Sequence, residues 1–363
     1  MKSLPDRLKR LLTRFYDLGE VTDYRSISRG QVNTGHVIET KLSRKRPRYF
    51  VREYRHGREI ADIEFEHALI NHLVSKKFEY ICGVVMSTTG QTYAQLPDDE
   101  AGESHPVFFA VFDYLPGEIR YDWSRPDCKV EELKSAAMTL AQYHEAVADW
   151  WPVNGRTRPG IAEQLLVTEK QLQEYRQLAG NTRFDDCLLN GLDLITRSHS
   201  DTLDALSSSD YHQMPRLAVH GDFHPGNLIF RNGHVSGLFD FDWANMDVRC
   251  FDVALAVFYF CTEWRGRVDG HLNIDRASVF LHVYQNTLKA NRAIDTLSNT
   301  ERRFLPDMIL AANIYVLGWI LSDFYRGNVD NLQYTGYLRH GLNFIRWESA
   351  NSRWFNQLFK SEA

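Results

Sequence analysis

The spacing of apolar residues predicts a helix, a set of strands and a second helix in the first quarter of the chain. In residues 4–18 the apolar positions recur at helical spacing, and Gly19 is a suitable stop for that helix. Residues 24–40 read as a strand, a turn of small and polar residues and another strand, and residues 49–54 read as a further strand. Residues 59–74 return to the period of an amphipathic helix.

The next segments predict more strands and then a boundary. Residues 83–96 read as strands around a turn at Gly90, and residues 106–112 form an apolar run typical of a buried strand. Turn residues follow at 113–118. We therefore expect one lobe over residues 1–112 and a second over residues 113–363.

The second lobe is expected to be mainly helical. Residues 131–148 place His144 in an apolar stripe, where a histidine is more often a core residue than a catalytic one. Residues 161–208 and the chain from about Ile274 onwards also show helical patterns. The most apolar segment, residues 308–321, is too short to span a bilayer and predicts a buried helix.

A hairpin with polar residues at its ends interrupts this helical pattern. Two short apolar runs flank the dipeptide Asn232-Gly233, the strongest local signal for a tight β-hairpin. Asp222 lies before the first strand, Asn227 where that strand begins, and Asp240 at the end of the second strand. The hairpin is therefore expected to hold two carboxylates and an amide on rigid backbone.

This arrangement suits phosphoryl transfer. Asp222 and Asn227 are five residues apart, as in the kinase catalytic loop H-R-D-x-x-x-x-N, and Asp240 follows where a kinase keeps its metal-binding Asp. Asp222 would accept or orient the acceptor hydroxyl, while Asn227 and Asp240 would hold Mg²⁺, which prefers oxygen ligands. The alternative is a surface hairpin with ordinary turn carboxylates. The combined spacing favours the catalytic interpretation.

The stretches H-G-D-F-H-P-G-N (220–227) and L-F-D-F-D-W (238–243) resemble the aminoglycoside phosphotransferase superfamily, which includes type II homoserine kinases and choline kinases. Gly221 stands where protein kinases carry Arg, which favours the small-molecule branch. The resemblance implies an α+β, two-lobed protein-kinase-like fold, with a small antiparallel-sheet N-terminal lobe of five strands and a larger, mainly helical C-terminal lobe. It also implies that ATP and Mg²⁺ are used.

The resemblance further implies where the nucleotide binds. In this family a loop corresponding to the turn near Gly30 and Asn33 covers the nucleotide phosphates. The adenine ring docks at the connection between the lobes, which makes Phe112 and Tyr114 candidates for that contact.

Arg52 and Glu66 are the candidate nucleotide clamp. Kinases commonly place a Lys on the strand that here offers Arg52, and Arg can hold phosphate bidentately. Glu66 lies on the apolar face of the helix over residues 59–74, whereas His67 falls on its polar side. A carboxylate on an apolar face needs a cationic partner, so we expect Glu66 to pair with Arg52. The alternatives are a surface Arg52 and a Glu66 at the edge of the stripe.

Four further residues near the hairpin have open interpretations. Asp252 matches a helix N-cap by type, and the resemblance implies that it braces the catalytic loop through backbone N–H groups. Asp242 is the alternative metal ligand to Asp240. His220 and His224 have no third ligand at metal-like spacing and are expected to stabilise the loop.

Composition excludes several classes of protein. The net charge of −5 and a pI near 6.3 give no sign of a nucleic-acid binder. Five scattered cysteines without a C-x-x-C pair predict reduced thiols in a cytoplasmic protein. Charged residues near the N-terminus interrupt any signal-peptide core, and no membrane association is expected.

The sequence therefore predicts an ATP- and Mg²⁺-dependent kinase that phosphorylates a hydroxyl group of a small molecule. Homoserine or another amino alcohol is one acceptor class, and an aminoglycoside or other sugar is another. The alternative function is a catalytically impaired kinase-fold protein that binds nucleotide or a partner without turnover. Its support is the missing Lys at position 52.

Overall fold

A computed structural model describes residues 4–27, 33–97, 106–152, 158–291, 293–327 and 329–359. The chain forms two compact units. The first comprises Met1–Gly117 and Pro152–Arg156, and the second comprises Glu118–Trp151 and Thr157–Ala363. The lobe boundary expected after residue 112 stays a prediction, although the last strand of the first unit ends one residue later, at Asp113.

The first unit is an antiparallel sheet with two helices. Its elements are α1 (Asp6–Phe15), β1 (Glu20–Ile27), β2 (Thr34–Lys41), β3 (Arg48–Glu53), α2 (Ile60–Ser75), β4 (Ala94–Pro97) and β5 (Pro106–Asp113). The five strands pair in the order β1-β2-β3-β5-β4, and every pairing is antiparallel. The prediction of a five-stranded antiparallel sheet is confirmed.

Helix α1 and one face of this sheet share a core. Leu11, Ile38, Val51 and Phe109 are all inaccessible to solvent within it. Gly19 has a φ of +82°, and a Cβ there would lie 2.4 Å from the carbonyl oxygen of Lys41. Glycine suits this position just before β1, because it adopts a positive φ without strain and leaves room for the close backbone contact.

The prediction of strands throughout residues 83–96 is wrong for most of that segment. Only β4 forms there, and Val84 makes an isolated bridge to Phe112. Ser87 explains the difference, because its Oγ accepts from the N–H of Gln91 at 3.1 Å and its own N–H donates to the Gln91 carbonyl at 2.8 Å. Such local bonds compete with strand pairing. Gly90 does form the expected turn, with a φ of +77°.

The second unit is mainly helical and carries two small antiparallel sheets, β6-β9 and β7-β8. Its elements are α3 (Val130–Ala146), α4 (Ile161–Leu178), α5 (Arg183–Leu206), α6 (Ser209–His212), β6 (Arg216–Val219), β7 (Leu228–Arg231), β8 (His234–Leu238), β9 (Asn245–Val248), α7 (Arg249–Cys261), α8 (Ile274–Asn291), α9 (Asn299–Arg326) and α10 (Asn331–Leu358). Every residue of α7 is buried, so this helix forms the centre of the unit.

Helix α9 contains the most apolar segment and has 28 residues. By length and composition it is the one described helix able to cross a membrane, so the expectation that this segment is too short is wrong. However, 78% of its most apolar window is buried inside the structure, which confirms the prediction of a buried helix. The amide nitrogen of Asn313, Nδ2, donates to the Gly341 carbonyl at 3.1 Å.

Candidate active site

The β7-β8 hairpin forms as predicted and brings two of the candidate residues close in space. Asn232 and Gly233 both have positive φ values, 52° and 79°, as a type I′ turn requires. At the open end of the hairpin the N–H of Phe239 donates to the carbonyl of Asn227 at 3.2 Å. Asp240, the next residue, therefore lies beside the start of the first strand.

Asn227 also contacts Asp222 directly. Its Nδ2 donates to the carbonyl oxygen of Asp222 and to its Oδ2, each at 2.9 Å. Because both bonds use the amide nitrogen, the amide oxygen is the atom of Asn227 that can ligate a cation. The donor set is composed of hard oxygens, which fits a divalent metal such as Mg²⁺. The structure thus brings Asp222, Asn227 and Asp240 together in one unit.

The two carboxylate oxygens of Asp222 have different surroundings. Oδ2 accepts from Asn227 and lies 3.4 Å from Nε2 of His224, whose Nδ1 accepts from the N–H of Gly226 at 2.9 Å. The hydroxyl of Tyr259 contacts Oδ1 at the longer distance of 3.4 Å. Oδ1 is therefore the less tightly held of the two oxygens. Sequence reasoning missed Tyr259, since its spacing in α7 indicates only an apolar helix.

These contacts keep Asp222 ionised. Burial raises the pKa of its carboxyl, but the neighbouring His224 and His220 and the hydrogen bond from Asn227 together outweigh burial and lower the pKa below its usual range. An ionised carboxylate is the form that can accept a proton or align a hydroxyl. The predicted loop-stabilising role of His224 is confirmed by its bond to Gly226, and the ring additionally faces the candidate base.

Asp252 braces the loop that carries Asp222. Its Oδ2 accepts from the N–H of His220 at 2.8 Å and its Oδ1 from the N–H of Gly221 at 3.0 Å, which confirms the bracing role. The N-cap interpretation is wrong, because α7 begins at Arg249 and Asp252 lies in its first turn. Gly221 has a φ of +72°, and a Cβ there would lie 2.5 Å from the Trp243 carbonyl oxygen. A larger residue does not fit.

His144 extends this brace into the core. Its Nε2 lies 3.1 Å from Oδ2 of Asp252, and its Nδ1 lies 2.7 Å from the hydroxyl of Tyr284. Burial lowers the pKa of His144 more than the Asp252 carboxylate raises it, so the ring is neutral. Nε2–H then donates to Asp252 and Nδ1 accepts from Tyr284. The predicted core position is confirmed, and the histidine also orients the brace.

The two candidate metal ligands after the hairpin differ in backbone conformation. Asp240 is in the left-handed region, with φ 70° and ψ 64°, which costs a non-glycine residue about 1 to 2 kcal/mol. Such strained residues cluster at functional sites. Asp242 is buried, and its carbonyl oxygen accepts from Nη1 of Arg158. Neither carboxylate's role as a metal ligand is tested by this geometry, and both stay predictions.

In the first unit, the expected pair between Arg52 and Glu66 is confirmed. Nη1 of Arg52 donates to Oε1 of Glu66 at 2.8 Å, and both residues are buried. The guanidinium carbon also lies 5.7 Å from the ring centre of Tyr54 and 5.9 Å from that of Phe112. The aromatic faces add a favourable cation–π term to the ion pair. Whether this cation reaches a nucleotide stays a prediction.

The other oxygen of Glu66 is held by a chain of hydrogen bonds. The Tyr54 hydroxyl lies 3.1 Å from Oε2 of Glu66 and 3.0 Å from Nε2 of His67, whose Nδ1 lies 2.8 Å from Oγ1 of Thr92. The prediction that places His67 on the polar side of the helix is wrong, because this side chain is buried and only 1% exposed. Burial, and secondarily the charge of Arg52, lower the pKa of His67 to about 3. A neutral His67 donates to Tyr54, which donates to Glu66.

Three of the four remaining nucleotide candidates lie within the described residues. Gly30 lies outside the described residues. Asn33 accepts from the N–H of Arg55 at 3.1 Å through Oδ1, which ties it to the end of β3. The ring of Phe112 is buried and its main chain pairs with strand β3 and with Val84. Tyr114, beyond the strand, has the guanidinium of Arg48 4.9 Å from its ring centre.

Comparison with known proteins agrees with this geometry. A family profile described as "Phosphotransferase enzyme family" matches residues 23–280. The homoserine kinase of Phenylobacterium zucineum (strain HLK1) is 26% identical over 302 residues, which cover 83% of this chain and 80% of that protein.

Two solved structures show the same fold. One is the amicoumacin kinase hAmiN in complex with AMP-PNP, Ca²⁺ and Ami, with a TM-score of 0.65 at 16% identity. The match covers 94% of this chain and 92% of the hAmiN chain. The other is the spectinomycin phosphotransferase APH(9)-Ia in complex with ADP and spectinomycin, with a TM-score of 0.63 at 14% identity. The match covers 96% of this chain and 99% of the APH(9)-Ia chain. The predicted α+β, protein-kinase-like fold is confirmed.

The family profile spans well over half of the chain and includes the Asp222 loop and the hairpin. The predicted activity of a small-molecule kinase is confirmed at that level, and no finding favours the alternative of a protein without turnover. The chain belongs to the phosphotransferase enzyme family.

Proposed function

We propose that the protein transfers the γ-phosphoryl group of ATP, with Mg²⁺, to a hydroxyl group of a small molecule. The observation that carries the proposal is the joint position of Asp222, Asn227 and Asp240. An ionised carboxylate, an amide oxygen directed away from it and a second carboxylate lie at the open end of one hairpin. Phosphoryl transfer needs this combination of positioning and charge neutralisation more than covalent help.

Each residue has a distinct task in this proposal. Oδ1 of Asp222 accepts the proton of the acceptor hydroxyl while the acceptor oxygen forms a bond to the γ-phosphorus and the bond to the β-phosphate oxygen breaks, which releases ADP. Asn227 holds Asp222 through Nδ2 and offers its Oδ1 to the cation. Asp240 supplies a charged oxygen to the same cation. When bound, the metal neutralises charge on the phosphates.

Arg52 is proposed to hold the α- and β-phosphates. Glu66 orients its guanidinium through the 2.8 Å contact, and Tyr54 fixes the carboxylate in turn. Arg is always charged and presents a planar fork, so it can take the place of the usual Lys with altered geometry. Asn33 and Gly30 for the phosphates, and Phe112 and Tyr114 for the adenine, stay secondary proposals.

Homoserine or another amino alcohol is the first acceptor to test, because relatives similar over most of both chains are named homoserine kinases. At 26% identity the acceptor contacts need not be shared. An aminoglycoside or other sugar is the second candidate, favoured by the likeness in fold to kinases solved with such compounds.

The test is ADP release from the purified chain with Mg·ATP across a panel of homoserine, other amino alcohols, aminoglycosides and sugars. The matched control is Asp222→Asn, which preserves shape and removes the base. Acceptor-dependent ADP release by the wild type and its loss in the variant would support the proposal. Tight Mg·ATP binding without ADP release for any class would favour the alternative of a non-catalytic nucleotide binder.

A cytoplasmic location is also proposed. It is supported by the five cysteines, which are all free in the structure. Fractionation of cells that express the tagged chain would test it, and recovery with membranes or in the medium would contradict it.

A further inference from the structure

Residues 158–161, which we call the strap, are bonded to residues 240–247, which comprise the turn after the hairpin and the first residues of strand β9. The N–H of Arg158 donates to Oδ1 of Asn245 at 2.9 Å, and Nδ2 of Asn245 donates back to the carbonyls of Arg158 and Pro159 at 3.0 and 3.1 Å. At the end of the strap the N–H of Ile161 donates to Oδ2 of Asp247 at 2.6 Å. Both ends of the strap are thus bonded to strand β9.

A further bond reaches the turn next to Asp240. Nη1 of Arg158 donates to the main-chain carbonyl of Asp242, two residues after the candidate metal ligand. Asn245 and Asp247 are 4% and 1% exposed, so the loss of their bonds would leave buried polar groups unsatisfied. The close fit extends to Gly160, where a Cβ would lie 3.2 Å from Oδ1 of Asp247.

Asp240 needs such support because of its left-handed backbone. On its N-terminal side the conformation is fixed by Phe239, whose N–H donates to Asn227 and whose carbonyl lies 3.1 Å from Nε2 of His220. On its C-terminal side the strap supplies the bonds to Asp242 and Asn245. A strained residue persists only where its surroundings determine it from both sides.

We propose that Asn245 and Arg158 are positioning residues that hold the turn in the conformation that presents Asp240 to the metal–nucleotide complex. This inference rests on the proposed function, because it takes Asp240 as a metal ligand. Its test measures binding and does not require turnover. If the strap were only an ordinary loop fastening, its loss would lower stability without a selective effect on metal–nucleotide binding. Groups that orient a metal ligand typically change metal affinity or activity by about 10- to 100-fold when they are removed.

The test compares Asn245→Ala with Asn313→Ala. Asn313 is a matched control, because it is equally buried and its amide also donates to a main-chain carbonyl, but on helix α9. Calorimetric titration with Mg·AMP-PNP, and titration with AMP-PNP in EDTA, are run on the wild type and both variants. We expect Asn245→Ala to weaken Mg·AMP-PNP binding by about 10-fold or more, with a smaller change for metal-free AMP-PNP. Asn313→Ala should bind as the wild type does.

Arg158 keeps the inference testable if Asn245→Ala does not fold. Arg158 is only half-buried, so Arg158→Ala is expected to fold. It should weaken Mg·AMP-PNP binding in the same direction, and Arg158→Lys, which can still donate to the Asp242 carbonyl, should restore part of it. Wild-type binding by Arg158→Ala, or by a folded Asn245→Ala, would overturn the inference. If the wild type bound Mg·AMP-PNP but phosphorylated no acceptor, the proposed function would fail while the strap result stood.

Discussion

The amide nitrogen of Asn227 donates two hydrogen bonds to Asp222, one to the main-chain carbonyl and one to Oδ2, each 2.9 Å long. One side chain thereby fixes both the backbone and the carboxylate of the candidate base. The arrangement also commits the two ends of the amide to different tasks, since the nitrogen holds Asp222 and the oxygen remains for the cation. Asn227 would therefore couple the candidate base to the proposed metal position.

The first prediction concerns the base. Asp222→Asn keeps the shape of the side chain but cannot accept the acceptor proton, so kcat should fall by at least about 100-fold while Mg·ATP binding changes little. Steady-state kinetics and calorimetry on the same preparation measure both quantities. Asp186→Asn, an exposed change on α5, is the control. A kcat near that of the wild type would remove Asp222 from the role of base.

The second prediction ranks the two carboxylates after the hairpin. Asp240→Ala should abolish transfer and weaken Mg²⁺-nucleotide binding, because the phosphates lose a counterion bridge. Asp242→Ala should be milder, since the Arg158 bond uses its main-chain carbonyl and survives the change. Titration of Mg²⁺-nucleotide into both variants decides between them. The reverse ranking would assign the metal ligand to Asp242.

The third prediction concerns the brace beneath the catalytic loop. Asp252→Asn replaces one of the oxygens that accept from His220 and Gly221 with an amide N–H, which faces a backbone donor. We expect kcat to fall by about 10-fold or more while the KM for ATP stays close to that of the wild type, because the loop shifts without loss of a nucleotide contact. A rise in KM alone would contradict a role in positioning Asp222.

Local sequence signals sufficed for much of the fold. The Asn232-Gly233 turn and the apolar face of α2 depend on neighbours in sequence, and both were predictable. The segment after Gly83 was not, because the bonds between Ser87 and Gln91 override its strand-like composition. Helix α9 extends beyond its apolar segment because side-chain hydrogen bonds also act there: a Ser298–Glu301 capping box starts the helix in a polar stretch.

The site was predictable where the chain is continuous and much less so where distant segments meet. Asp222, Asn227 and Asp240 flank a single hairpin, so their spacing along the sequence was enough to predict them. Tyr259 reaches Asp222 from 37 residues away, and Arg158 reaches Asp242 from 84 residues away. Spacing in a single sequence carries no signal for contacts of that kind, since tertiary packing alone creates them.

The fourth prediction is a pH dependence that arises from His67. Its pKa in the folded protein, about 3, lies below the unfolded value near 6.5, so the unfolded chain binds the proton first. The stability provided by the neutral ring is complete above about pH 6.5 and is lost as the pH falls towards 3. The destabilisation caused by His67→Gln should therefore be about 2 kcal/mol larger at pH 7.5 than at pH 5.

Thermal midpoints of the wild type and His67→Gln across this pH range test the dependence. His56→Gln, at an exposed position, controls for the replacement of a histidine by glutamine as such. A gap between wild type and His67→Gln that stayed constant with pH would mean that His67 does not titrate as its burial requires.

The last prediction concerns Arg52 and Glu66, a buried ion pair with a 2.8 Å contact. Arg52→Ala should raise the KM for ATP and lower kcat. Arg52→Lys should keep much of the activity, because an ammonium retains the charge. It should not keep all of it, because an ammonium lacks the planar fork of a guanidinium. Glu66→Ala should partly reproduce the loss, since it removes the carboxylate partner of a buried guanidinium, a defect that costs about 3 to 5 kcal/mol of stability. The double variant should lose less than the sum of the single variants, because the two residues act as a unit. Steady-state kinetics and thermal midpoints on the four variants separate the two effects. If Arg52→Ala lost stability but kept the wild-type KM for ATP, the pair would be a structural element of the sheet and the phosphates would be held by other groups.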